Sequence, residues 1–249
     1  MGGHRDRALI EDGVELTADE DDDASFSGVE CTLSEHSADV EQRAREYASR
    51  LGFPHELVED IAFAGWLHDI GKADRRFQLW LRGGSEIDLF ADERPWAKSL
   101  IPSSSRDARR AARRRSGYPD GARHEVQSLA MAEANLPTLA PMAKDLDLVL
   151  HLVASSHGFC RPFAPVQRDS QPVKLVLARH HSSTFGDINF GPVPSNHGLY
   201  RLDSSIAERF WHLVDRYGWL ELCWLEAVLR LADHRASEEE EGRTGRGPP

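Results

Sequence analysis

The stretch Gly65-Trp-Leu-His-Asp-Ile-Gly-Lys72 sets an imidazole beside a carboxylate, with a lysine three residues on, at the end of a strongly apolar helical pattern. Polar side chains in such a place need a reason. A neutral imidazole and a carboxylate are good ligands for Mn, Fe, Co, Ni or Zn, and one carboxylate can bridge two ions through its two oxygens. The competing reading is a solvated helix end, and a His-Asp pair alone does not separate the two. The flanking Leu67, Ile70, Gly71 and Lys72 favour the metal reading. Gly71-Lys72 is not a phosphate-cradling loop, because that motif needs Gly at 66 and Ser or Thr at 73, where this chain has Trp66 and Ala73.

The elements that must position these groups are helical. Val40, Ala44, Tyr47, Ala48 and Leu51 recur at spacings of three and four and predict a helix over 34–51, ended by Gly52. After Pro54, the apolar residues Leu57, Val58, Ile61, Ala62, Ala64, Leu67 and Ile70 predict a deeply buried helix over 55–70, with His68 and Asp69 in its last turn. A short helix is expected around 77–81, and 83–121 reads as an irregular insertion. Helices are expected again over 124–134 and 144–156, on either side of the Pro137/Pro141 turn. Residues 158–200 read as a long irregular excursion with a short hairpin around 173–178. A final helical pattern over 205–236, broken at Gly218, has Trp211, Leu213, Val214, Trp219, Leu222, Leu225, Val228, Leu229 and Ala232 as its expected core face, and Trp224 is also read as core. The expected fold class is all-α, a helical bundle with long irregular insertions.

Five motifs stand in order along this frame: His36 in Ser-Glu-His-Ser; Leu67-His-Asp-Ile-Gly-Lys72 followed by Phe77-Gln78; Arg123-His-Glu125 with Ser128; Ser155-Ser-His-Gly158; and Leu229-Arg-Leu-Ala-Asp-His-Arg-Ala-Ser237. The series resembles the HD phosphohydrolase superfamily, and more closely its CRISPR-associated branch, the HD nuclease that accompanies the type I interference helicase. The resemblance implies an HD-domain bundle with metal ligands at His36, His68, Asp69, His124, His157 and Asp233, Asp69 bridging if two ions bind. It also implies catalytic roles for Asp69 and for Lys72, the latter near the phosphate. One or two divalent transition-metal ions are expected, Mn, Fe, Ni or Co ahead of Mg. The family commonly has two adjacent histidines where this chain has Ser156-His157. Either the second ion is held through a water or the serine hydroxyl, or the site takes one ion. His180-His181 restores a pair but is expected on a surface loop near substrate.

Other candidates read as structural. His151, six residues before His157, lies on another face of the same helix as a core or capping residue; His234 points away from the site; Cys160 is a small buried hydrophobe. His4, His55, His197 and His212 have no supporting context. Cys31, Cys160 and Cys223 form no CxxC pair, and no disulfide is expected.

The net charge of −11 sits at the ends, −9 over 1–35 and −2 over 238–249, leaving a neutral body. Within that body Arg106, Arg109, Arg110, Arg113, Arg114 and Arg115 are opposed only by Asp107, either as a solubilising insertion or as contacts to a nucleic-acid backbone. The expected organisation is an acidic disordered linker or tail over 1–30, an HD nuclease domain over 31–237 and a disordered tail over 238–249. No apolar run approaches the roughly 20 residues of a membrane span, and residues 1–17 do not resemble a signal peptide, so a cytoplasmic protein is expected. The resemblance implies a nuclease for single-stranded DNA that works with a helicase subunit, or with a helicase domain missing from this chain, on DNA displaced by an RNA-guided surveillance complex. The alternatives are a nucleotide phosphohydrolase with the same ligands and a catalytically weakened HD module retained for docking.

Overall fold

Thr32 and Glu35 start the first long helix by satisfying each other: the Glu35 amide donates to Thr32 Oγ1 (3.3 Å) and the Thr32 amide donates to Glu35 Oε2 (3.1 Å). In the computed structural model, which describes residues 25–164, 169–196 and 203–244, this helix, α1, runs over Leu33–Arg50. The cap fixes His36 in its first turn, facing inward with no exposed surface. The helix α2, His55–Leu67, packs along α1 so closely that a Cβ on Gly65 would lie 3.3 Å from Val40. Nearly every residue from Leu57 to Leu67 is buried, so α2 forms the centre of the main core.

The chain then turns. His68 caps α2, Asp69 follows, and a single 3-10 turn spans Ile70–Ala73, so the helix expected to reach 70 ends three residues sooner. Helix α3, Arg75–Leu81, is capped by Asp74, whose carboxylate accepts from the Arg76 amide (2.8 Å). Beyond it the expected irregular insertion is ordered, with α4 at Glu86–Ala91, β2 at Trp96–Lys98 and α5 at Arg106–Ser116. Strand β1, Cys31–Thr32, pairs antiparallel with β2. A smaller core forms here from Phe26, Phe77, Trp80, Leu81, Trp96, Ala112 and Tyr118. Arg113 lies 4.6 Å over the Trp80 ring, Arg109 5.6 Å over Phe26 and Arg82 4.2 Å over Trp96. The arginines of α5 therefore divide by face: Arg109 and Arg113 are buried as packing elements, Arg115 donates to the Gly83 carbonyl, and Arg106, Arg110 and Arg114 are exposed.

Helices α6 (His124–Glu133), α7 (Leu136–Leu139) and α8 (Leu146–Ser155) complete the bundle around α2. The excursion after residue 158 is more regular than expected. Strands β3, Lys174–Ser182, and β4, Gly186–Pro194, make an antiparallel hairpin whose Leu175, Leu177, Ile188, Phe190 and Val193 join the main core. Phe185 at its tip packs on Phe63 and Trp66. Helices α9, Ile206–Tyr217, and α10, Trp219–Thr244, close the chain about the expected break at Gly218. Leu213, Val214, Leu222, Leu225, Val228, Leu229 and Ala232 are buried as expected. Trp211, Trp219 and Trp224 are not: they are 47%, 56% and 60% exposed, because α9 and α10 carry apolar residues on two sides and only one side faces the bundle.

The sequence expectation of acidic disorder over 1–24, and that for 245–249, lies outside the described residues, as do His4 and His197. Residues 25–30 are ordered, with Phe26 fully buried, and α10 continues through 238–244, where a tail was expected. Among the described helices none is long and apolar enough to cross a membrane. All three cysteines are free thiols.

Candidate metal centre

Five different segments converge on Asp69. Its Oδ2 lies 3.5 Å from His36 Nε2 on α1 and 2.6 Å from Lys72 Nζ on the 3-10 turn; its Oδ1 lies 3.5 Å from His68 Nε2 and 3.1 Å from His124 Nε2 on α6. Asp233 on α10 reaches the same place, 3.1 Å from His36 Nε2 and 3.8 Å from His68 Nε2. His157, just beyond α8, brings its Nε2 to 3.1 Å from His124 Nε2. All six expected ligands are thus gathered. Five of them form two overlapping clusters, His36/His68/Asp69 and Asp69/His124/His157, each with donor atoms within 4.8 Å of one another, and Asp69 belongs to both; Asp233 lies beside the first.

The imidazoles are turned for ligation. His36 Nδ1 donates to Glu240 Oε1 (2.8 Å) and His68 Nδ1 donates to the Gly65 carbonyl (2.7 Å). An oxygen acceptor at Nδ1 fixes the proton there and leaves the lone pair on Nε2, the atom aimed at the carboxylates. His68 Nε2 and both Asp69 oxygens are buried without a hydrogen bond of ordinary geometry. Two ring nitrogens 3.1 Å apart, as in His124 and His157, are a distance that lone pairs reach only around a shared proton or cation. The donor set, four imidazoles with two carboxylates, fits divalent transition-metal ions.

The electrostatics agree. Burial alone would raise the Asp69 carboxyl, but His68, Lys72 and His124 outweigh it and hold the group well below the usual carboxylate range. Asp233 is held low in the same way, against burial, by His36, His68 and Lys98. Burial pushes His68 down, and burial with neighbouring His124 pushes His157 down to about 4, so both imidazoles are neutral at pH 7, the form that can ligate a metal. For His36 burial acts downward too, yet Asp233 and Glu240 prevail and its pKa is raised.

Three groups were given no role in the sequence reading. Glu240 orients His36; its signal was the spacing of seven from Asp233, two helical turns along one buried face. Glu125, 1% exposed and ion-paired with Arg123, lies beside His124 and His157. Lys98, 2% exposed on β2, donates to Ser237 Oγ (2.8 Å) among Lys72, Asp233 and Asp69; no motif marked it, since it sits in the supposed insertion. Lys98→Met removes a cation beside two ligand carboxylates, so it should tighten Mn²⁺ binding by roughly an order of magnitude in titration calorimetry. An unchanged affinity would show that its charge does not reach the ions.

The Ser156 hydroxyl donates to the Val153 carbonyl of its own helix (3.2 Å). Of the other pair, the two histidines fall on opposite faces of β3, as neighbours on a strand must. His181 is exposed and bonded to Asp187 (2.6 Å), whereas His180, expected on a surface loop, is fully buried. His180 stacks on Trp66 (4.5 Å between centroids) and donates from Nε2 to the Trp66 carbonyl (2.9 Å), and Trp66 Nε1 donates to the His181 carbonyl (3.1 Å). These bonds clip the hairpin onto the end of α2. Burial lowers His180 to about 4. The unfolded chain takes up this proton near pH 6.5 and the folded chain only near 4, so falling pH favours unfolding across that window. The loss should reach about 3 kcal/mol below pH 4. Urea unfolding of chelated protein at pH 7 and 4.5 should show a smaller difference for His180→Gln; an equal difference would place the titration elsewhere.

His151 donates to Glu226 (2.7 Å), with Arg161 ion-paired to the same carboxylate, and Cys160 is buried, both structural as expected. His234, His55 and His212 are exposed and lie outside the two clusters.

A family model described as HD domain matches residues 33–219. The chain belongs to the HD domain family. Five of the six gathered residues, His36, His68, Asp69, His124 and His157, lie inside the match; Asp233 lies beyond it and is placed by α10. No curated protein and no solved structure gave a match. HD domains are typically metal-dependent hydrolases, and the His/Asp clusters of this HD domain could hold divalent ions.

Proposed function

We propose that this HD protein is a metal-dependent nuclease that hydrolyses phosphodiester bonds of single-stranded DNA in CRISPR interference, beside a helicase subunit or domain and an RNA-guided surveillance complex. The observation that carries the hydrolytic part is Asp69, shared between two imidazole clusters with Lys72 at 2.6 Å. His36, His68, Asp69 and Asp233 would hold one ion, and Asp69, His124 and His157 a second. When bound, Mn, Fe, Ni or Co supplies Lewis acidity toward water and the phosphoryl oxygens. Lys72 neutralises charge that develops on a non-bridging phosphoryl oxygen. Glu240 and the Gly65 carbonyl keep His36 and His68 in the ligating orientation. Support for a polyanionic substrate comes from the outward side of α5, where Arg106, Arg110 and Arg114 recur every four residues. The CRISPR assignment rests on the motif resemblance.

The depth of the centre favours one second reading. His36, His68, Asp69 and His124 are at most 2% exposed, which suits a nucleotide entering a narrow pocket as well as a threaded strand. Incubation of the purified protein with circular single-stranded DNA and with mononucleotides, each with Mn²⁺, Ni²⁺, Co²⁺ or Fe²⁺ and a chelator control, separates them. Metal-dependent linearisation of the circle supports the nuclease; release of phosphate from mononucleotides with the circle intact supports the nucleotide reading.

A further inference from the structure

Helix α10 has two apolar faces. The inner one, with Leu222, Leu225, Leu229, Ala232 and Ala236, packs into the bundle and carries Asp233 and Glu240 to the metal centre. The outer one holds Leu220 (81% exposed), Trp224 (60%), Ala227 and Leu231 (58%). Their spacing of four, three and four is a helix-pairing seam, about 16 Å long. Trp211 and Trp219, edge to face at 5.5 Å, extend the apolar surface at the N-terminal end of the helix. Isolated exposed leucines are ordinary, but three tryptophans and two leucines on adjoining turns are not.

We propose that this face is a homodimer interface, in which α10 of a second copy lies antiparallel across the seam about a two-fold axis near Ala227. Three features select a copy of the same chain over an unrelated partner. The seam is self-complementary: with the axis midway between the levels of Ala227 and Val228, Trp224 of each copy lies level with Leu231 of the other, and the small Ala227 lets the helices approach near the centre. The charges that border it on one side complement each other only when antiparallel. Glu221, near the N-terminal end, then lies within one residue of the level of Arg235 of the second copy, whose side chain is 51% exposed although Glu238 and Glu239 already bind it. The uncovered side chains amount to roughly 500–700 Å² per copy, and twice that reaches the lower end of stable interfaces. Interfaces at that end of the size range are commonly weak and transient, so self-association is expected at micromolar concentrations. Pairing on this outer face leaves the inner face, with Asp233 and Glu240, undisturbed.

Sedimentation velocity of the full chain from about 1 to 100 μM spans the expected transition. The expected result is a monomer–dimer equilibrium that Trp224→Glu or Leu231→Glu shifts to monomer by at least about a hundredfold in Kd, two buried charges per dimer being introduced. Glu221→Arg should weaken the dimer, and Glu221→Arg combined with Arg235→Glu should restore it. These positions are solvent-exposed, so circular dichroism of the variants should match that of the parent. A chain that remains monomeric throughout, a dimer indifferent to Trp224→Glu, or a charge exchange that fails to restore association would each overturn the proposal. No metal or substrate enters the measurement, so its outcome is independent of the nuclease reading.

Discussion

Asp69→Asn should lower metal-dependent phosphodiester hydrolysis by at least about a thousandfold, the largest effect of any single substitution in the centre. The substitution keeps the shape of the side chain and removes its charge. Asp69 is the one residue common to both ligand clusters, so each prospective ion loses a carboxylate oxygen at once. Lys72 meanwhile loses its partner at 2.6 Å. A buried ion pair broken on one side costs up to several kcal/mol, which is why far-ultraviolet circular dichroism must accompany the assay. Substitution of His157 removes a ligand from only one cluster and should leave more activity than Asp69→Asn does. Retention of a tenth or more of the parent rate by folded Asp69→Asn would refute the shared-ligand geometry.

The second large effect is expected at a residue with no side chain, in the turn between Asp69 and Lys72. At Gly71 a Cβ would stand 2.1 Å from the His124 carbonyl oxygen, 2.5 Å from the Ser128 nitrogen and 2.9 Å from Gln127 Cβ. Two of these are backbone atoms of α6, which cannot swing aside as a side chain can. The same contact is held together by hydrogen bonds, since the Gly71 amide donates to Ser128 Oγ (2.8 Å) and that hydroxyl donates to the His124 carbonyl (3.0 Å). Gly71→Ala must push the turn bearing Asp69 and Lys72 away from the helix bearing His124. We expect a loss of roughly 3 kcal/mol or more in urea unfolding, together with weaker Mn²⁺ binding. Ser128→Ala, which removes the bonds but adds no atom, should cost only about 1 kcal/mol. Equal stabilities for Gly71→Ala and the parent would show that the turn does not rest on α6.

The metal centre was readable because its chemistry follows helix punctuation. Five of the six candidate ligands sit at a cap, a first turn or a helix end: His36 after the Thr32 cap, His68 and Asp69 at the end of α2, His124 opening α6 and His157 just past α8, whereas Asp233 lies within α10. Polar residues at such places stand out against apolar periodicity. Where periodicity was the whole signal, it misled in two ways. On α5 the inward positions are Arg109 and Arg113, whose guanidinium groups lie on aromatic rings, so a hydrophobic count finds no period and an ordered helix reads as an insertion. On α9 and α10 there are too many apolar residues, and period alone does not distinguish Trp224, facing out, from Leu225, facing in. The β3–β4 hairpin was glimpsed only at 173–178, because register shifts in the pair break the alternation of core and exposed positions beyond Leu177. Lys98 had no local signature, and Glu240 only its spacing of seven from Asp233: both reach the site through contacts with residues more than a hundred positions away.

The most direct test of the account is an ion count. Anaerobically prepared, chelated protein would be titrated with Mn²⁺ and Fe²⁺ by calorimetry, with bound metal measured independently after gel filtration, for the parent, His157→Ala and Asp69→Ala. The shared-carboxylate geometry predicts two ions for the parent, one for His157→Ala and neither held tightly by Asp69→Ala. Tight binding by Asp69→Ala at the stoichiometry of the parent would contradict it, because the ions would then be held by residues other than the two clusters that meet at Asp69.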